Sequence, residues 1–383
     1  MNFWHLILWI LRALSVLSAG FITVRIHRFS ALKRLGQSHG LLAWLIAALP
    51  VCLLGLFART NLFTLMIVLI HLLLGFLLCD LAALLLKKAA KKSVSLDARN
   101  LAAIVLTTVY LGAGWFFAHH VFLTTYSVDT QKDVGEGLRI VEIADLHLGS
   151  TLDGEGFARQ LARVQALQPD VVAITGDFVD DDTDRQALLT ACSALGRLET
   201  AYGVFFVCGN HDNGYFSYRN FTAGELRSAL TDNGVTILED ESVLIDDRFY
   251  IVGRQDRSVR RRMAADALTA GLDRSKFILL LDHQPNDYAN EAASGADLVL
   301  SGHTHGGHLF PAGLIGLAAG ANDKVYGIEK RDGTVFVVSS GISGWAIPFK
   351  TGAISELVVI DVRTTAAQAS APNADERGST DGR

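Results

Sequence analysis

Residues 170–180 read Asp-Val-Val-Ala-Ile-Thr-Gly-Asp-Phe-Val-Asp. An almost unbroken β-branched run of this length is the pattern of a strand buried on both faces, as in a parallel sheet covered by helices. It stops at Gly176-Asp177, which leaves a carboxylate at the strand end. Working outward, residues 138–144 (Leu-Arg-Ile-Val-Glu-Ile-Ala) form a second expected strand that runs into Asp145-Leu146-His147. Side chains alternate along an extended chain, so Asp145 and His147 point the same way. Residues 154–168 have the spacing of an amphipathic helix and are closed by Pro169, and a second helical stretch covers 184–198. Residues 203–208 are the next apolar strand and deliver Gly209-Asn210-His211-Asp212. Strands alternating with helices define an α/β domain, and in open α/β sheets the crevice beyond the strand ends is where sites assemble.

The pattern continues. A short strand is expected at 249–253, followed by a basic stretch holding Arg254, Arg257, Arg260, Arg261 and Arg262. A buried strand at 276–281 ends in Asp282-His283-Gln284-Pro285, and one at 297–300 runs into Ser-Gly-His-Thr-His-Gly-Gly-His at 301–308. Further strands are expected at 325–328, 334–339 and 356–362, with glycine-rich connections. Residues 364–383 contain almost nothing to bury and read as a disordered tail. No internal repeat is present.

The amino-terminal third is of a different kind. Through Thr130 there are 11 Lys and Arg against 3 Asp and Glu, a balance of +8; the whole chain carries −5, so the remainder carries −13. A membrane part is joined to an acidic part, and the acidic balance argues against general affinity for a nucleic-acid backbone. Crossing the hydrocarbon core takes about 20 apolar residues as a helix. Residues 41–57, 62–86 and 101–118 meet that length or come close, with Pro50 in the first; residues 3–24 are a weaker fourth candidate because of His5 and Arg12. A signal peptide is the competing reading of 3–24, but a basic n-region and a small-residue cleavage site are missing. The connection between 41–57 and 62–86 carries only Arg59, whereas Arg25, Arg28, Lys33 and Arg34 lie between residues 3–24 and 41–57, and Lys87, Lys88, Lys91, Lys92 and Arg99 between 62–86 and 101–118. By the positive-inside bias these loops are cytoplasmic, and everything after the last span lies on the opposite, extracytoplasmic face of the inner membrane. The expected organisation is a multi-pass anchor of three to four helices over 1–130, a catalytic domain over 131–363 and the tail. His71 and Asp80, with His5 and Arg12, are ionisable residues inside spans; packed polar residues of an anchor are favoured over a transport pathway.

Collected in chain order, the strand-end donors are Asp145, His147, Asp177, Asn210, His211, His283, His303 and His305. With His211 set aside, seven oxygen and nitrogen donors remain, more than one metal uses and a natural number for two metals sharing a carboxylate. Imidazole, carboxylate and amide oxygen without thiolate suit manganese, iron or zinc. The ordered motifs Asp-x-His, Gly-Asp-x-x-Asp, Gly-Asn-His-Asp, a lone His after a strand and Gly-His-x-His resemble the calcineurin-like metallophosphoesterase superfamily. The likeness is greatest to its bacterial membrane-associated, phosphodiesterase-containing branch, and it covers residues 138–362. The resemblance implies a β-sandwich flanked by helices and two divalent or trivalent metal ions. Asp145, His147 and His305 would hold one ion, Asn210, His283 and His303 the other, and Asp177 both. His211, oriented by Asp180, would contact the phosphoryl group or protonate the leaving oxygen. The implied reaction is metal-dependent hydrolysis of a phosphodiester or pyrophosphate bond by a hydroxide between the metals, with a lipid or envelope-derived substrate motivated by the anchor. His308 stands where that branch often has Gln, and a rim position is expected for it.

The alternative from another class is a membrane transport or sensing protein whose phosphoesterase-like domain no longer catalyses; the intact donor set speaks against it. Beyond the motifs, the arginine stretch is either a solvated face or a contact for anionic substrate or lipid headgroups. Tyr215, Phe216, Tyr218 and Trp345 are candidates for a substrate groove. Cys52 and Cys79 read as small hydrophobes within spans; Cys192 and Cys208 fall in an expected helix and an expected strand, where a bridge would require an oxidising compartment and is not the favoured reading. No Walker loop, serine nucleophile elbow or thiolate zinc site is present.

Overall fold

The computed structural model describes residues 3–56, 61–214 and 219–365. Four long helices and one short one come first: α1 (Phe3–His27), α2 (Ser30–Ser38), α3 (Gly40–Leu56), α4 (Leu62–Ala90) and α5 (Leu96–His119). Among the described residues three stretches are long and apolar enough to cross a bilayer, Leu8–His27, Leu62–Ala90 and Leu96–His119, whereas Gly40–Leu56 has 17 residues. The first segment, the weakest candidate by sequence, therefore qualifies, and its Arg12 guanidinium lies 5.5 Å from the ring centre of Trp9. Asn61 caps α4 by accepting from the Thr64 N–H, and Ser95 caps α5 through the Ala98 N–H. Asp80 on α4 is bound by Arg25 of α1 through two nitrogens (2.6 and 3.1 Å) and by Arg99 of α5 (2.9 Å). Asn100 accepts from Arg25 Nε at 2.9 Å and donates to the Arg25 carbonyl. The intramembrane carboxylate is thus a packing residue that ties three helices together.

α5 feeds straight into β1 (Val121–Thr130), followed by β2 (Leu138–Ile143), α6 (Gly154–Ala166), β3 (Val171–Ile174), α7 (Arg185–Leu195), β4 (Gly203–Phe206), α8 (Ala223–Thr231) and β5 (Val235–Ile237). Next come β6 (Glu241–Ile245), β7 (Phe249–Gly253), α9 (Ala265–Thr269), β8 (Phe277–Leu281), α10 (Tyr288–Ala293) and β9 (Leu298–Ser301). The chain closes with α11 (Ala312–Ala318), β10 (Gly327–Arg331), β11 (Thr334–Val338) and β12 (Ser355–Thr364). The ten residues of β1 pair in parallel with β12 and belong to the sheet, so the anchor gives way to the domain at His120 and not at Thr130. The tail assigned to 364–383 lies outside the described residues from 366 onward; Thr364 itself ends β12.

Two six-stranded sheets stack, with orders β1-β12-β2-β3-β4-β5 and β10-β11-β9-β8-β7-β6. β2, β3, β4 and β5 are mutually parallel, as are β11, β9, β8 and β7. The continuous apolar run first noticed at 170–180 is explained by this layering. Val171 and Ala173 face the inter-sheet core with Leu279 and Leu300, while Val172 and Ile174 pack under Phe157, Leu161 and Leu188 of the covering helices. On the second sheet Ile278 and Leu280 face the other way and pack with Tyr288 and Phe336. Helices cover the outer faces, giving the β-sandwich flanked by helices, and the parallel centres point their strand ends to one rim.

Candidate metal centre

Each donor sits just past a strand end, where the backbone must turn sharply. Asp145, His147, Asp177, His303 and His305 all have positive φ (51°, 38°, 51°, 69° and 48°), a conformation costly for residues with a Cβ and concentrated at functional sites. Gly209 has no room for a side chain: a Cβ there would lie 2.2 Å from Asp177 Oδ1, so the β3 and β4 loops touch backbone to backbone.

The donors form two groups sharing Asp177. In the first, Asp145, His147 and His305 bring one ligand atom each within 4.8 Å of the others; Asp177, His283 and His303 do the same in the second. Asp177 Oδ2 lies 3.2 Å from His283 Nε2 and 3.6 Å from His147 Nε2, between the groups, and Asn210 Oδ1 is 3.1 Å from His283 Nε2. The His283 Nδ1–H donates to the Thr175 carbonyl at 2.8 Å, which leaves Nε2 as the inward-facing nitrogen, the orientation a metal-binding imidazole adopts. Acceptors therefore crowd inward with too few protons among them. The Asp145 Oδ2 and His305 Nδ1 atoms are buried without a partner. His147 Nε2 and His305 Nε2 face each other at 3.1 Å, and one of them needs a proton or a cation. A set of nitrogen and oxygen donors in this condition fits cations of the manganese, iron or zinc type.

Electrostatics follow the same division. Burial, together with the cation-like His283, lowers the His303 imidazole to about 4, and burial with His147 and His308 alongside holds His305 well below the usual range. Both rings are thereby kept neutral, the form that binds metal. The Asp177 carboxyl is buried, yet His283, His147 and His211 around it hold it far below the usual carboxylate range. Desolvation raises Asp145, partly offset by His283.

His211 stands beside these groups. Its backbone N–H donates to Asp177 Oδ1 (2.8 Å), and its Nδ1 is 3.0 Å from Asp180 Oδ1. Asp180 Oδ2 is in turn 3.1 Å from His147 Nδ1, so one carboxylate orients two rings. Burial works against protonation of His211, but the Asp180 and Asp177 carboxylates overcome it and raise its pKa. The Trp345 ring lies 5.4 Å from His211 and 6.2 Å from His147. Tyr215, Phe216 and Tyr218 lie outside the described residues. All nine residues singled out by sequence thus converge on one rim.

Other expectations change. Arg254 is buried and bound to Asp282 (3.1 Å), Asp287 (2.7 Å) and Glu291 (3.4 Å), and Arg262 also pairs with Asp282. These two hold the second sheet to α10 and present neither a solvated face nor a headgroup contact; Arg257, Arg260 and Arg261 are exposed. His308 is half-buried beside the donors and lines the adjoining cavity, its ring stacked on His305 at 5.3 Å. Cys192 and Cys208 are buried free thiols, and burial pushes Cys192 up to about 12.

Two supporting residues escaped the sequence reading. Asp212, fully buried, accepts from the backbone N–H groups of Gly209 (2.7 Å) and Asp177 (2.9 Å) on Oδ2, and of Phe178 (2.9 Å) and Val179 (3.2 Å) on Oδ1. Burial and the neighbouring Asp177 carboxylate hold it up at about 6. Its signal was adjacency, since it follows Gly-Asn-His directly. Lys350 is fully buried and donates to the carbonyls of Ser340 (2.6 Å), Gly341 (3.1 Å) and Ile354 (3.2 Å); burial lowers it to about 7. Nothing in the local sequence marks it.

Oxygen and nitrogen donors gathered at the ends of parallel strands in a helix-flanked sandwich define a candidate metal centre of an α/β domain. Residues 138–307 match the model of calcineurin-like phosphoesterases. An uncharacterised metallophosphoesterase of Campylobacter jejuni is 32% identical over 244 residues, 62% of each chain, and one of Aquifex aeolicus is 31% identical over 246 residues, 62% of this chain and 90% of that one. A Danio rerio transmembrane protein with a metallophosphoesterase domain is 31% identical over 239 residues, 58% of this chain and 53% of the relative. Among solved structures, a dimetal phosphatase from Danio rerio aligns at 14% identity with a TM-score of 0.35, covering 54% of this chain and 87% of that one. The chain spans about three-fifths of the length of the first curated relatives it matches. It belongs to the calcineurin-like metallophosphoesterase family, here joined to apolar helices of membrane-spanning length.

Proposed function

We propose that the protein is a membrane-anchored phosphoesterase that hydrolyses phosphodiester or pyrophosphate bonds, with a dinuclear centre on the extracytoplasmic face of the inner membrane. The observation that carries the reading is the position of Asp177, whose Oδ2 lies within 3.6 Å of imidazole nitrogens from both donor groups. In this reading Asp145, His147 and His305 hold one cation, Asn210, His283 and His303 the other, and Asp177 both. A pair of cations held by these residues would supply an activated water and charge neutralisation for the phosphoryl oxygens. His211 Nε2 points away from the Asp180 bond and is placed to protonate the leaving oxygen, with Asp180 fixing its tautomer and Asp177 fixing its backbone. Envelope substrates, lipid-linked ones included, suit the location.

Placement outside the cytoplasm is supported by the distribution of charge along the helices. Arg25, Asp80, Arg99 and Asn100 meet at one end of the bundle, beside the basic loops. At the other end Asn61 donates to the Ala346 carbonyl at 2.7 Å, on the segment bearing Trp345. The test is turnover of bis-p-nitrophenyl phosphate by the full chain in detergent with Mn, Fe, Zn or Co. Metal-dependent activity that disappears in Asp177→Ala and His211→Ala is expected, and a stable protein inert with every ion overturns the reading.

A further inference from the structure

The donor rim is not bounded by protein domain alone. A partly open cavity of about 510 Å³ begins at His303 and His305 and runs to the membrane helices. One wall is Leu8 and Leu11 of α1 with Phe63, Met66 and Ile67 of α4; the other is Leu309, Ala312 and Gly316 around α11, with Ile347. Apart from the histidines and Asn322, its lining is almost entirely hydrocarbon. A volume of this size lies in the range of small-molecule sites, and a walled apolar pocket with a few polar groups at one end suits an amphiphile, not a free nucleotide or sugar phosphate. On the other side of the Trp345 segment a second cavity of about 390 Å³, more polar than the first, is lined by His147, Asp180, Asn61, Thr64 and Ser150 together with Leu148, Ile347 and Pro348.

A second observation concerns the outer side of the apolar wall. Phe310, Leu314 and Ile315 are 59%, 62% and 63% exposed, on a segment otherwise part of an acidic domain. A patch of large apolar side chains on a soluble surface marks contact with something apolar. Here that surface needs no unidentified partner, because the segment that carries it also walls the cavity whose opposite wall is α1 and α4. Trp9 of α1, 60% exposed, and Phe63 of α4, 45% exposed, stand at the same end of the bundle, where aromatic side chains settle at the membrane interface. α11 thus presents apolar side chains outward, at the end of the bundle that carries Trp9 and Phe63, and walls the cavity on its inner side.

We infer that this cavity takes the hydrocarbon chain of a membrane lipid, entering laterally from the leaflet between α11 and the α1–α4 pair, so that the lipid's phosphoester comes to rest at the donor rim and its headgroup in the polar cavity. The inference rests on the phosphoesterase reading and narrows its substrates to phospholipids or lipid-linked phosphoesters with at least one alkyl chain. Gly316 gives a direct handle: a Cβ built there meets nothing within 4 Å, so a large side chain enters the cavity without disturbing α11.

The experiment uses the full chain, detergent-solubilised with metal, and alkyl p-nitrophenyl phosphate diesters from methyl to dodecyl. kcat/KM is expected to rise about fourfold for each methylene buried and to level off once the cavity is full. The dodecyl-to-methyl ratio is expected to collapse at least tenfold in Gly316→Trp and in Met66→Trp. A series that is flat while the methyl ester is turned over overturns the inference and leaves the phosphoesterase reading standing. A rise retained in both variants reflects partition into the micelle and also overturns it. A second measurement is independent of turnover and of the variants' folding: dodecylphosphonate carrying a diazirine on its terminal carbon, irradiated with the wild-type chain in nanodiscs of phosphatidylethanolamine and phosphatidylglycerol. Labelling at Leu11, Met66, Ile67 or Leu309, which line the cavity and are not on the exposed outer face, supports the chain site even if no ester is hydrolysed, an outcome that would sink the phosphoesterase reading alone. Labelling confined to the lipid-facing surface of α4 around Leu81 and Leu85 sinks the chain site.

Discussion

Asp212→Asn is the perturbation that tests how the centre is held together. The two oxygens of Asp212 receive four backbone N–H groups, two each, from Gly209 on one loop and from Asp177, Phe178 and Val179 on the other. Asparagine keeps the shape but turns one oxygen into an NH2 group, which cannot accept. Whichever way the amide settles, two buried N–H groups lose their acceptor, and the other two exchange a charged acceptor for a neutral one. A buried donor left unsatisfied costs about 1–3 kcal/mol, so the change costs about 2–6 kcal/mol. For a domain of this size that corresponds to a fall in Tm of at least about 4 °C. The consequence for the site is larger than for the fold. The Asp177 N–H is one of the four, and the Asp177 carboxylate is the group shared by both donor sets, so a shift of about 1 Å costs on the order of 100-fold in turnover. The assay is thermal unfolding of the full chain in detergent, with bound metal by elemental analysis and turnover of bis-p-nitrophenyl phosphate on the same samples. Unchanged Tm and unchanged metal content in Asp212→Asn would refute the claim that this carboxylate fastens the two loops.

Three more outcomes are expected. Asp180→Asn breaks the carboxylate that orients both His147 and His211, and, as for other groups behind metal-binding imidazoles, a loss of about 10- to 100-fold in activity or metal affinity should appear with little change in Tm; full activity would remove Asp180 from the site. Asp80→Ala leaves Arg25 and Arg99 facing each other in the helix bundle and should destabilise the detergent-solubilised chain by about 3 kcal/mol, whereas Asp80→Ala combined with Arg25→Leu should recover part of that loss in thermal unfolding. Lys350 titrates near 7 in the folded chain against an ordinary lysine value of 10.5, so between those pH values the unfolded chain binds more protons and stability rises with pH. The Tm of wild type relative to Lys350→Met should therefore climb from pH 7 to pH 10, and a constant difference would show that burial does not depress this ammonium.

The donor set was legible because the chemistry lies within a few residues of strand ends that announce themselves. The run at 171–175 is apolar on both faces and the strands expected at 138–144 and 276–281 flank it in the same α/β pattern, so Asp145, Asp177 and His283 are expected at neighbouring strand ends from the sequence alone. Asp212 was visible in the motif but silent as to role, because its partners are backbone N–H groups, which every residue has. Lys350 gave no signal, since a lysine is read as a surface residue unless three carbonyls from other turns close around it. The arginine stretch misled for the opposite reason: the acidic partners of Arg254 lie 28 to 37 residues away, on β8's end and α10.

The boundary at Thr130 was the most consequential miss. Val121–Thr130 alternates as a strand should, but it follows a membrane helix without a break, and its partner β12 is more than 200 residues distant, so the run carries no local sign of belonging to the sheet. That strand changes how the two parts of the protein are joined. A domain hung from a linker would sample many heights and tilts above the bilayer, and no cavity with one wall in the membrane helices would persist. Here α5 passes into β1 with one residue between them. The Gly114 carbonyl of α5 accepts from the Lys350 N–H at 2.8 Å, and the Ala118 carbonyl from the Ser355 hydroxyl at 2.9 Å. Replacing Gly114 would drive a Cβ to 2.6 Å from Thr351, so helix and loop are in close contact. Sheet, helix and the 345–351 segment are one rigid connection. It fixes the donor rim at a set distance from the leaflet, and the shared wall between α4 and α11 is a consequence of that.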